Sequence, residues 1–140
     1  MDLAELSDRQ EIVDVITAYT RAVDTSQWDK LHSVFTADAV LDYSPTGGPV
    51  GPLEEAIPFI RNLEGFTAWQ HTIGQVEITF DDETRMSAKA TAYMINPLIA
   101  TGPDGKPVLM EVGGYYHHQL VKGEDGWRSR HMVDEILWSR

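Results

Sequence analysis

The second half of the chain constrains the fold most. From residue 69 onward it reads as four strand-like runs, 69–80, 85–99, 108–121 and 127–138. The links between them are Asp81-Asp82-Glu83-Thr84, Thr101-Gly102-Pro103-Asp104-Gly105-Lys106 and Lys122-Gly123-Glu124-Asp125-Gly126. A parallel crossover needs roughly a dozen residues or more, so links this short and turn-rich predict antiparallel hairpins. Runs of about ten residues or more exceed the usual strand of about 5–6, which predicts a strongly curved sheet.

The first third reads as helix. Ser7-Asp8-Arg9-Gln10 fits a capping box with Ser7 as N-cap, and Ile12, Ile16, Tyr19 and Val23 follow as one apolar stripe. Thr25 or Ser26 can cap a second short helix with Trp28, Leu31 and Phe35 on one side. A short strand is expected at 39–43, a loop at 44–49 where two prolines and two glycines fall, and a third helix at 53–62 kinked by Pro58. Helices followed by long antiparallel strands make an α+β pattern. Three N-terminal helices closing one side of a curved, mostly antiparallel sheet leave a concave face able to enclose a pocket.

At 140 residues the simplest reading is a single domain spanning 1–140. Four Trp, five Tyr and four Phe supply a core. The absence of cysteine excludes a disulfide scaffold, a thiolate zinc site and a cysteine nucleophile. With 22 acidic residues against 11 Lys+Arg, the net charge of −11 argues against nucleic acid and against an anionic membrane surface. No apolar run approaches the ~20 residues of a membrane span, and the acidic N-terminus has no basic leader segment. A cytoplasmic protein is expected.

Five histidines are the natural groups for proton transfer near neutral pH. His32 lies among polar neighbours and reads as surface. His117 and His118 are adjacent on a strand and point to opposite faces, so at most one lines a pocket. His131 shares strand parity with Trp127 and Ser129. Strict alternation sets His71 opposite Val76, Ile78 and Phe80, but a bulge at Gly74 would reverse that phase. Asp24, at the end of the first helix, lies about 110° from the centre of the apolar stripe if the helix is regular. Tyr19 is on the stripe, points inward and needs a partner for its hydroxyl. No phosphate loop, His-Glu-x-x-His or Gly-x-Ser-x-Gly motif occurs.

The stretches Ile16 to Asp24, Trp28-Asp29-Lys30-Leu31 and Phe35-Thr36-Ala37-Asp38-Ala39, with His71, Gly113-Gly114-Tyr115-Tyr116 and Gly126-Trp127-Arg128, resemble the SnoaL-like family. That family belongs to the cystatin-like α+β roll superfamily, named after nuclear transport factor two. The pattern is similar to its lyases scytalone dehydratase, bile acid 7α-dehydratase and hexachlorocyclohexane dehydrochlorinase. The resemblance implies a catalytic Asp24–His71 pair turned into the cavity, with Tyr19 polarising the substrate. More weakly, it implies Tyr43 as a pocket residue, Tyr93 or Asn96 in place of a second histidine, and Arg130 as counterpart of a C-terminal arginine. The implied activity is a dehydratase-type elimination on a hydrophobic polyketide-, steroid- or terpenoid-like molecule, without metal or organic cofactor. The alternatives are an isomerase or cyclase of the same fold, or a non-catalytic module like the small subunit of ring-hydroxylating dioxygenases. A homo-oligomer, trimer or dimer, is expected.

Overall fold

The computed structural model describes all residues, 1–140. Helix α1 spans Leu3–Asp24 and starts earlier than the Ser7 box predicts. Asp2 is the N-cap, its carboxylate accepting from the Glu5 N–H at 2.8 Å, and this Asp-x-x-Glu spacing does the job one turn sooner. Thr25 and Ser26 end this helix rather than start the next. The Gln27 N–H donates to the Ala22 carbonyl (2.9 Å) and the Ser26 N–H to the Val23 carbonyl (3.4 Å). This Schellman arrangement places Ser26 in the left-handed region, φ 55°. The expected second helix is a single 3-10 stretch, Trp28–Ser33. Phe35, expected on that helix, instead opens strand β1, Phe35–Asp42.

A 3-10 turn at Ser44–Thr46 leads to the two-residue strand β2, Val50–Gly51. Helix α2, Leu53–Ile60, contains Pro58 and passes into a 3-10 stretch, Arg61–Gly65, two residues before the expected end. The remaining strands are β3 (Ala68–Trp69), β4 (Thr72–Phe80), β5 (Ser87–Thr101), β6 (Pro107–Gly123) and β7 (Gly126–Ser139). The order is β2-β1-β7-β6-β5-β3, with β4 also pairing β5. All neighbours are antiparallel except β1 and β7. The three expected hairpins are present, and the result is an α+β roll.

Four register shifts bend the sheet, one of them on β1 between Phe35 and Val40, and the other three decide which side chains of the long strands face inward. On β4 the shift lies between Ile73 and Val76, at Gly74-Gln75. On β7 one residue, Arg130, is extra between the pairs Leu120–Ser129 and Gln119–His131. A third shift falls at Gly113/Gly114, where a Cβ on Gly114 would sit 1.9 Å from the Glu135 carbonyl oxygen. Only glycine permits that approach.

The core lies between α1, α2 and the concave face. Ile12, Ile16 and Val23 of α1 are buried against the sheet. Ala88, Ala90 and Ala92 of β5 are buried on the concave face. Further along the same face come Met94, Asn96 and Leu98.

Beneath α1, Asp8 is a buried carboxylate. It accepts from Lys122 Nζ (2.8 Å) and Trp127 Nε1 (3.0 Å), with Arg85 Nε at 3.4 Å. Burial pushes its pKa up, but these donors prevail and hold the carboxyl below its ordinary value. Asp8 thereby joins the helix to the β4–β5 and β6–β7 hairpins. Asp8→Ala leaves the Trp127 N–H buried without an acceptor and is expected to cost about 2–4 kcal/mol. Urea unfolding checks this.

Candidate functional site

The first helix ends where the sheet begins to curl, and three contacts dock residues 69–71 onto that end. Trp69 Nε1 donates to the Val23 carbonyl (3.1 Å) in the last turn of the helix, beside the longer bond from the Ser26 N–H. The His71 backbone N–H donates to Asp24 Oδ2 (2.9 Å), and His71 Nδ1 lies 2.6 Å from Asp24 Oδ1. Asn96 on β5 holds the segment from the other side, its Nδ2 donating to the Gln70 carbonyl at 2.9 Å. The His71 and Asp24 side chains are 7% and 17% exposed, so the pair is largely shielded from water.

His71 does not open the strand as expected but lies just before β4. The shift at Gly74-Gln75 puts Ile73 on the same face as Val76, Ile78 and Phe80, and His71 faces inward with them. Asp24 is the last residue of α1 and is not itself in the cavity lining; it meets His71 from the helix end.

His71 forms part of the wall of a cavity of about 290 Å³. Twelve of its seventeen lining residues are hydrophobic, among them Val23, Phe59, Met94 and Ile136. The other five are Thr46, Asn62, His71, Asn96 and Asp134, and Tyr19, Tyr43 and Tyr116, counted among the twelve, add their hydroxyls. The hydroxyls of Tyr19 and Tyr43 hydrogen-bond each other. Burial raises the pKa of Tyr19, Tyr43 and Tyr116, so all three phenols keep their protons. No group of three His, Asp or Glu side chains converges to hold a metal ion.

Of the residues singled out from sequence, Tyr19, Tyr43, His71 and Asn96 meet at the cavity, with Asp24 behind His71. Tyr93 and Arg130 do not. Tyr93 is on the outer face of β5, 45% exposed and stacked edge-on against Tyr115. Its parity on the strand is opposite to that of Met94 and Asn96. Arg130 is the extra residue of the β7 bulge and is exposed.

The same bulge corrects the reading of His131. Trp127 and Ser129 face in, but beyond the extra residue the inward set is Met132 and Asp134, so His131 is turned away from them. His118, not His117, is the interior histidine. Its Nδ1 bonds Ser129 Oγ (2.8 Å) beneath the rings of Tyr19 and Tyr116. Burial pushes its pKa down to about 3. His32 is exposed, as expected.

Sequence reasoning missed Asp134. It is 6% exposed, and its Oδ1 has no hydrogen-bond partner. The available signal was its place between Met132 and Ile136, one acid in an alternating apolar set, but parity counted from Trp127 assigns it outward. Burial pushes its pKa up to about 6, with the nearby His71 pulling the other way.

The native carboxyl therefore holds its proton more tightly than in the unfolded chain. The cost to stability is absent below about pH 4, grows as pH rises and is complete above about pH 6, where it amounts to roughly 2–3 kcal/mol. Asp134→Asn is expected to be more stable than the parent at pH 8 and equal to it near pH 4. Denaturant melts at the two pH values check this.

No helix is long and apolar enough to cross a membrane. The SnoaL-like domain family matches residues 4–133. An uncharacterised protein of Mycobacterium tuberculosis is 33% identical over 129 residues, covering 91% of this chain and 84% of its own. Among solved structures, a candidate aromatic ring hydroxylase from Novosphingobium aromaticivorans superposes with a TM-score of 0.80 at 29% identity, over 95% of this chain and 91% of that one. A candidate scytalone dehydratase from the same organism gives 0.83 at 16% identity, covering 97% and 88%. A type 2 hexachlorocyclohexane dehydrochlorinase gives 0.83 at 15% identity, covering 100% and 92%. At these last two identities the likeness is one of fold.

Proposed function

The chain belongs to the SnoaL-like domain family, and we propose that this member is a cofactor-independent lyase that removes water from a hydrophobic small molecule. The observation that carries the reading is the 2.6 Å contact between Asp24 and His71 at the wall of an apolar cavity. A carboxylate on Nδ1 makes that nitrogen the N–H donor, and the lone pair then sits on Nε2. Nε2 has no protein partner and is the atom free to act on a bound molecule.

The chemistry follows from the arrangement. Nε2 takes a proton from a carbon next to an activating carbonyl. The C–H electron pair becomes the new C=C bond as the neighbouring C–O bond breaks. The imidazolium, stabilised by Asp24, returns its proton to the departing oxygen, so that water leaves and His71 is neutral again. The Tyr19 phenol, which keeps its proton, donates to the oxygen where charge develops. That a candidate dehydratase and a dehydrochlorinase share this fold supports elimination as the reaction type. The apolar lining supports a substrate of polyketide-, steroid- or terpenoid-like character.

His71→Ala and Asp24→Asn are each expected to lower kcat by about 10²–10⁴-fold, the usual worth of general acid–base help, with native circular dichroism retained. Mass analysis of a panel of hydrophobic β-hydroxy ketones, scored for loss of one water, reads the activity. Full turnover in either variant removes the mechanism. A product of unchanged mass that has taken up solvent deuterium assigns the protein instead to the isomerases.

A further inference from the structure

The cavity wall holds one oxygen that the Asp24–His71 chemistry leaves unused. Asn96 stands on the inner face of β5 between Met94 and Leu98, paired with Val112 of β6, and is a buried part of the cavity lining. Its nitrogen is already committed. Nδ2 donates to the Gln70 carbonyl at 2.9 Å, with the Pro97 carbonyl at 3.5 Å, and the Gln70 N–H donates to that same Pro97 carbonyl (3.2 Å). Reversing the amide would set its oxygen against two carbonyl oxygens, so these neighbours fix which end is which. Oδ1 accepts from no protein group, and unlike Asp134 Oδ1 and His118 Nε2 it is not sealed off. Gln70 immediately precedes His71, so a fixed acceptor stands one residue from the proposed base.

We propose that Asn96 selects the leaving group of the reaction: its Oδ1 accepts a hydrogen bond from the hydroxyl that departs, so that the cavity takes alcohols and turns away the corresponding halides. This rests on the lyase reading and adds to it the class of substrate, an apolar molecule whose leaving oxygen carries a hydrogen. The carbon-bound proton goes to Nε2 of His71, the C–H pair becomes the C=C bond, and the C–O pair goes to the departing oxygen. That oxygen takes the proton from Nε2 and keeps its own hydrogen, which points at Oδ1 throughout, and water leaves. An acceptor on the hydroxyl hydrogen raises the electron density on its oxygen and eases the protonation. The bond to Oδ1 strengthens as the group becomes water, so it is worth more in the transition state than in the bound substrate. A halide has no hydrogen to offer. It would leave Oδ1 desolvated and unpaired, and its growing negative charge would face an oxygen lone pair. Sites built to hydrogen-bond a substrate hydroxyl reject analogues lacking it far more strongly than apolar pockets reject a missing methylene.

Equilibrium binding tests the proposal without turnover, using indanol, chloroindane and methylindane, each substituted at the carbon remote from the aromatic ring. None of the three has an activating carbonyl. Methylindane reports any general damage to the cavity and normalises the other two. Asn96→Leu is expected to weaken indanol relative to methylindane about tenfold, the worth of one neutral hydrogen bond, and to leave chloroindane relative to methylindane within about twofold. An amide does not titrate, so the parent's ratios hold from about pH 5 to about pH 8. A second measurement needs no variant. In the parent, indanol moves the NMR signal of the Asn96 side-chain amide downfield of its position with methylindane, because accepting a hydrogen bond at Oδ1 draws electrons from the nitrogen.

Four results overturn the proposal: no indanol binding, an unchanged indanol-to-methylindane ratio in Asn96→Leu, a loss of chloroindane as large as that of indanol, or an amide signal that answers both probes alike. A hydroxyl preference that emerges only above about pH 6 overturns it as well, and assigns the hydroxyl to the Asp134 carboxylate. None of these bears on whether His71→Ala abolishes turnover, so the proposal and the lyase reading fail separately.

Discussion

A single carboxylate fastens the end of the first helix to the sheet, and the cavity is built around that attachment. Asp24 sits at the C-terminal end of α1, where the helix dipole disfavours a negative charge. Both of its oxygens are taken up by one residue, the backbone N–H and the ring nitrogen of His71. The contact thus offsets an unfavourable charge placement and fixes the imidazole in one orientation. It also closes the gap between a helix and a strand that lie 47 positions apart in the chain.

The rest of the hollow follows from side-chain size along β5. Ala88, Ala90 and Ala92 are small and buried on its inner face, and further along the strand Met94, Asn96 and Leu98 line the cavity. Space remains at that end. The phenols of Tyr19, Tyr43 and Tyr116 form a neutral polar seam across it, flanked by His71 and Asp134. The two carboxylates have different surroundings: Asp24 has two donors, while Asp134 has an unpartnered oxygen.

The architecture was legible in the sequence because it depends on pattern: long alternating runs, short turn-rich links and a helical stripe of Ile12, Ile16, Tyr19 and Val23. The convergence of Asp24, His71 and Tyr19 was legible only through family resemblance, since regular-helix geometry turns Asp24 aside and strict alternation turns His71 out. His71 is brought in by a local irregularity, the bulge at Gly74-Gln75, and Asp24 meets it from the flank of the helix end without entering the cavity lining. The bulge was a possibility because glycine advertises it. No such marker precedes the one at Arg130, and for that reason Asp134 was missed and His131 was assigned the wrong face. Tyr93 failed for a simpler reason: its neighbours Ala92 and Met94 already own the inner face.

Arg130 belongs to neither pleat of its strand, since the pairing with β6 steps over it. A chain lacking that one residue would keep Trp127, Ser129, Met132 and Asp134 on the side they now occupy and lose only a local bend. Loss of a residue from the regular stretch 131–136 would instead turn part of the strand over and empty the wall opposite His71. Length variation in this strand is therefore compatible with an intact site at one place and damaging a few residues later, a tolerance written into the backbone rather than into any side chain.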